Sequence, residues 1–146
     1  MAFDDVTMRI AIAWRDLRRV KTQPLSEPIP QGQLDTMDVM SQLGSCNMLK
    51  LSTALRIDAS TATRAVDRLV DSRLATRRRS DTDARTVIVE LTKEGRSLER
   101  KLTAERMNRM NDVLNRLTTT ERATLADSLE RLVTAIDAAD AVDDAG

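Results

Sequence analysis

Residues 76–95, TRRRSDTDARTVIVELTKEG, leave the backbone few choices. A basic run, Arg77-Arg78-Arg79, leads into a short polar tip, Ser80-Asp81-Thr82-Asp83-Ala84. The chain then returns through Arg85-Thr86-Val87-Ile88-Val89-Glu90-Leu91. Its β-branched residues and period-two alternation suit a strand, with Val87, Val89 and Leu91 on one face and Thr86, Ile88 and Glu90 on the other. The segment therefore reads as a basic β-hairpin. It directly follows a helix–turn–helix pattern, and arginines projecting from a hairpin beside such a motif point to duplex DNA.

That upstream pattern occupies residues 48–73. Met48, Leu51 and Leu55 share one helix face, with Ala54 beside them; Arg56-Ile57-Asp58 forms the turn, and Ile57 is expected to be buried and to lock the two helices together. Asp58 suits an N-cap, because its carboxylate can accept from the unpaired amides of the next turn. Ala62, Val66, Leu69 and Val70 then mark the apolar stripe of a second, amphipathic helix. Its outward face carries Ser60, Thr61, Thr63, Arg64 and Arg68, short hydroxyls and arginines that can approach base edges and phosphates. Arg68 has two readings, a phosphate contact or an internal pair with Asp67, Asp71 or Asp83. Arg77 and Arg79 fall on one strand face and Arg78 on the other, so Arg77 and Arg79 are the pair expected to meet phosphate.

Three stretches together carry a resemblance: Ser60-Thr61-x-Thr63-Arg64-x-Val66-Asp67-Arg68-Leu69-Val70, then Asp81-x-Asp83-x-Arg85, then Leu91-Thr92-x-x-Gly95. With its flanking helices, the chain resembles the MarR family of transcription regulators up to about Ala138. The resemblance implies a mainly α fold with a small β-hairpin wing, a winged helix–turn–helix with N- and C-terminal dimerisation helices, working as a homodimer. It implies that Arg85 enters the minor groove with Asp83 holding its guanidinium, and that Trp14, Met37, Met40 and Met110 line an effector pocket. The chain departs from the family pattern at Arg73, where the recognition helix commonly ends in glycine. It departs also at Ala84, a wing position often basic, and at Gln33 and Thr36, which replace an opening Thr-x-x-Gln.

Composition narrows the chemistry. Histidine is absent, which removes the commonest general base and transition-metal ligand; no catalytic residue, metal site or cofactor is expected. The single cysteine, Cys46, reads as a small inert residue and excludes an internal disulfide framework, and with no signal peptide or ~20-residue apolar run in view the expected location is cytoplasmic, away from membranes. Only Phe3 and Trp14 are aromatic, so the core must be aliphatic, with seven Met to help fill it. The formal net charge is zero, but from Arg56 to Arg85 eight Arg face five Asp, while Asp137 to Gly146 holds four Asp and no base. The positive surplus is local, which is what contact with a polyanion requires.

The 146 residues are read as a single domain. Phe3, Val6, Ile10, Ala13, Leu17 and Val20 repeat at three and four, giving a first helix over 3–21. Lys21 to Gln31 holds all three prolines and reads as a linker; Leu34 to Leu43 forms a second helix capped by Gly44. The DNA-binding lobe spans 33–91, and two further helices fill 93–138, the first capped by Thr92 and the second opened by the capping box Thr118-x-x-Glu121. Residues 139–146 are expected to be a disordered tail. The first helix and the last two carry more apolar surface than a wing lobe can bury, which favours a homodimer. The leading expectation is a repressor that binds a pseudo-palindromic double-stranded operator and is released by a small-molecule or stress signal. The alternatives are an effector-independent activator or architectural protein, and a winged-helix protein–protein module.

Overall fold

The computed structural model describes residues 3–21 and 23–143. The elements run α1 (Asp5–Arg19), α2 (Gln31–Leu43), β1 (Cys46–Asn47), α3 (Met48–Leu55), α4 (Ala59–Asp71), β2 (Ala75–Arg79), β3 (Val87–Leu91), α5 (Lys93–Leu114) and α6 (Thr119–Asp143). The chain is mainly α with a small antiparallel sheet of order β1-β3-β2, the winged helix–turn–helix expected. In the hairpin, Arg77 lies opposite Val89, Arg78 opposite Ile88 and Arg79 opposite Val87.

The core sits where α2, α3 and α4 meet the sheet. Met37, Met40, Leu51, Val66, Leu69, Ala75, Val89 and Leu91 bury together, so the aliphatic and methionine-rich composition is spent here. A polar seam joins α2 to α5: buried Glu99 accepts from Ser41 at 3.2 Å and from Thr103 at 3.0 Å, and Asp38 pairs with Arg106. The proline-rich linker is pinned along the same helix, by Ser26 N–H donating to Glu105 at 2.9 Å and Arg109 donating to the Pro24 carbonyl at 2.8 Å. By contrast, among the described residues α1 and α6 bury none of their large apolar side chains in the single chain; Leu17 is 68% exposed and Leu129 45%. Among the described residues no helix is long and apolar enough to cross a membrane.

Caps fall where the residues ask for them. Asn47, Asp58 and Thr92 each accept from a backbone amide three residues on, and Thr118 and Glu121 bond reciprocally as a capping box. Gly44, at φ 68°, ends α2 as expected. Several expectations need correction. The first helix is shorter than 3–21, because Asp4 caps it and its chain leaves helical geometry at Val20. The second opens earlier, at Gln31, because Pro30 has the fixed φ of a helix start. Ile57 is 37% exposed, so the α3–α4 turn is not locked by its burial; Ala62 and Leu51, both fully buried, supply the packing. Strand β1 was not anticipated, since two residues give no periodicity to read. The helix continues through 139–143, where a tail is expected; Ala139 and Ala141 favour helix there, and residues 144–146 lie outside the described residues.

The Leu-Thr-x-x-Gly motif acquires a physical reason. Thr92 N–H donates to the Leu74 carbonyl at 2.9 Å, its hydroxyl donates to the Arg73 carbonyl at 2.8 Å, and Gly95 N–H donates to that hydroxyl at 3.0 Å. A Cβ at residue 95 would stand 2.0 Å from the Leu74 carbonyl oxygen, an overlap only backbone movement could relieve. Arg73 itself sits at φ 59°, the left-handed conformation in which a side chain costs energy. Chemical denaturation should therefore show Gly95→Ala losing roughly 1–3 kcal/mol or more and Arg73→Gly gaining up to about 1 kcal/mol. Equal stability of Gly95→Ala and the parent chain would refute the junction as described.

Candidate nucleic-acid interface

Helix α4 is oriented by burying Ala62, Val66 and Leu69, which leaves Ser60, Thr61, Thr63, Arg64 and Arg68 exposed together on the opposite side. Asp58 organises the start of that exposed face. One carboxylate oxygen accepts from Thr61 N–H at 2.8 Å and from the Ser60 hydroxyl, and the other accepts from the Thr61 hydroxyl at 2.7 Å. These donors hold its carboxyl well below the usual carboxylate range. The Thr63 hydroxyl donates back to the Ala59 carbonyl at 2.9 Å. Arg64 and Arg68 have no carboxylate within ion-pair distance among the described residues. Of the two readings for Arg68, the internal pair is not formed.

The wing divides its arginines. Arg77 shares the core-side face with Ala75 and reaches across to pair with Asp67 on α4, tying the hairpin to the helix. Arg79 donates to the Ala84 carbonyl at 2.7 Å and clamps the tip. Both were expected to face phosphate; both are occupied within the fold. Arg78 stands 3.9 Å from Asp81. Asp83 is also differently employed from the expectation. It accepts from the Arg85 backbone N–H at 3.0 Å and from the Thr86 hydroxyl at 3.3 Å, while its carbonyl accepts from Thr86 N–H at 2.9 Å. Asp83 thus folds the turn that carries Arg85 and leaves the guanidinium exposed, because an aspartate two residues before an amide closes that ring more readily than it reaches a long side chain.

Residues 29–87, from just before α2 to the first residue of β3, match the family model described as MarR family. In these residues the chain is similar to the MarR family. No curated protein matches it in sequence, but solved structures share its fold. PcaV, a transcriptional regulator from Streptomyces coelicolor in complex with its natural ligand, is 22% identical with a TM-score of 0.76, over 93% of this chain and 99% of that one. Streptococcus pneumoniae FabT in complex with DNA is 19% identical with a TM-score of 0.73, over 90% and 95%. A mutant of E. coli MarR complexed with operator DNA is 25% identical with a TM-score of 0.62, over 71% and 75%.

The residues expected to line an effector pocket are not brought together in the single chain. Met37 and Met40 are buried in the core, whereas Trp14 is 49% and Met110 52% exposed. An open groove of about 660 Å³ instead follows Asp127, Glu130, Arg131, Thr134, Ala135 and Ala138 on α6. Cys46 lies in β1 opposite Val89, and burial pushes its thiol pKa up against the opposing charge of Lys50, which suits an inert residue. Sequence reasoning missed a further ion pair: Arg56, left-handed at φ 55°, reaches Asp137 on α6 at 2.6 Å. Nothing in the spacing of two residues so far apart signals it.

The Asp58 cluster makes a pH prediction. A depressed folded-state pKa contributes stability that is present above the ordinary value of 3.8 and is lost as pH falls through the folded value. Asp58→Asn should therefore be less stable than the parent chain at neutral pH, with the gap closing as pH drops below that value. Urea midpoints measured at both ends of the range check this, and a gap that widens in acid would contradict it.

Proposed function

We propose that this chain is a homodimeric, sequence-specific DNA-binding transcription regulator, a repressor that binds a pseudo-palindromic operator and is released by a small-molecule or stress signal. The observation that carries the reading is the exposed face of α4, with Arg64 and Arg68 free of carboxylates among the described residues, standing beside a hairpin whose turn presents Arg85. FabT and MarR, which share the fold, were solved with DNA. In such a complex α4 lies in the major groove and Arg85 reaches the adjacent minor groove, where narrow walls concentrate negative potential. A protein–protein module would not need hydroxyls and unpaired arginines on one narrow helix face.

Dimerisation follows from the unburied stripes. Phe3, Ile10 and Leu17 with α1, and Leu125, Leu129, Leu132, Val133 and Ile136 on α6, are all exposed in the single chain. A second copy covers them at roughly 25 cal/mol per Å² buried. PcaV, which shares the fold, was solved with its natural ligand; in this chain a pocket that includes exposed Trp14 and Met110 has to be completed by the second copy.

Gel shifts across a salt series test the reading. The parent chain should bind duplex DNA with two half-sites about one helical turn apart. Arg85→Ala should flatten the salt slope by about 0.9 for each lost phosphate-equivalent charge, roughly 1.8 per dimer. Asp83→Ala should weaken binding despite removing a negative charge, because the turn carrying Arg85 loses its two side-chain bonds. Tighter binding by a dimeric Asp83→Ala would show the wing to be a generic basic surface. Leu129→Lys should yield monomers by light scattering.

A further inference from the structure

The three hydroxyl protons on the outward face of α4 are all spent inside the protein. Ser60 and Thr61 donate to Asp58, and Thr63 donates to the Ala59 carbonyl. An ionised carboxylate and a peptide carbonyl can only accept, so the direction of each bond is fixed by chemistry. Each hydroxyl oxygen therefore turns only lone pairs toward solvent. Phosphate oxygens also only accept, so these hydroxyls cannot bond the DNA backbone while their internal bonds stand. Turning one outward would give up a bond to a peptide carbonyl or, at Ser60 and Thr61, a charge-assisted bond, and would leave Asp58 facing the same phosphate. In the major groove the donors are the adenine N6 and cytosine N4 amines.

We propose that Ser60, Thr61 and Thr63 read DNA as hydrogen-bond acceptors, selecting base pairs that place an adenine or cytosine amine beneath them, and that Asp58 is the positioning residue that imposes this polarity. Arg64, with no internal partner among the described residues, supplies the complementary donor to guanine O6 and N7. Arg68, also exposed and unpaired among the described residues, is left to the phosphates. The hydroxyls and Arg64 set sequence preference, and the arginines carry most of the salt-dependent affinity. This rests on the DNA-binding reading above.

The test uses the full-length dimer and the duplex it selects from random DNA. In that duplex each adenine is replaced singly by nebularine and each cytosine by 2-pyrimidinone, which lack the amine. At least one replacement should weaken the parent chain roughly tenfold, and that penalty should vanish in Ser60→Ala, Thr61→Val or Thr63→Val. Asp58→Asn keeps an N-cap but offers an amide N–H to the Ser60 or Thr61 oxygen, freeing a hydroxyl proton. Its selected duplexes should shift toward pairs presenting a keto oxygen at the same place. If the hydroxyl variants weaken selected and random duplex equally, or no amine deletion is felt, the acceptor assignment is overturned while DNA binding stands. An unchanged selection by a dimeric Asp58→Asn removes Asp58 from the mechanism. Failure of the parent chain to bind any duplex overturns both readings.

Discussion

Where α5 begins, its backbone comes so close to the start of β2 that residue 95 must be glycine. The Leu74 carbonyl accepts from Thr92 N–H, and a Cβ on residue 95 would overlap that oxygen at 2.0 Å. This one approach fixes three things together: the end of α4, the root of the wing and the direction in which α5 leaves the lobe. Thr92 contributes to all of them, since its hydroxyl donates to the Arg73 carbonyl while accepting from Gly95. The left-handed turn at Arg73 is the cost of bringing β2 back under α4. Through this junction, the outward face of α4 and the tip of the wing hold a constant relation to the helices that carry the unburied apolar stripes.

Electrostatics divides the arginines into two populations. Arg77 and Arg79 hold the hairpin to α4 and close its tip, and Arg56 meets α6. Surface pairs of this kind contribute little energy each, so their use is geometric. Arg64, Arg68 and Arg85 have no such partners among the described residues. A chain of zero net charge can therefore still offer a concentrated positive face, because its carboxylates are placed at turns, caps and the last helix.

The lobe was largely legible in the sequence because its signals are local. Asp58, Thr92 and the Thr118–Glu121 box are caps read at spacing three, and the period-two pattern of 87–91 gave the strand. What escaped was non-local or too short. Strand β1 is two residues long, the Arg56–Asp137 pair spans most of the chain, and the buried Glu99 draws its donors from α2 and its own helix. The internal partners of the wing side chains escaped for a related reason. Register places Arg77 on the core-side face, but only the fold shows that Asp67 lies within its reach. Similarly, the spacing of Asp83 and Arg85 fits a side-chain pair and an Asx-type turn equally well, and the turn is what forms.

Hydrogen exchange of the full-length protein, with and without its selected duplex, tests the central claim most directly: that α4 and the wing tip together form the DNA-contacting face. The account predicts added protection confined to amides of 59–71 and 77–86 when DNA is present, with α1 and α6 unchanged. Protection concentrated in α1 or α6, with none in α4, would contradict it.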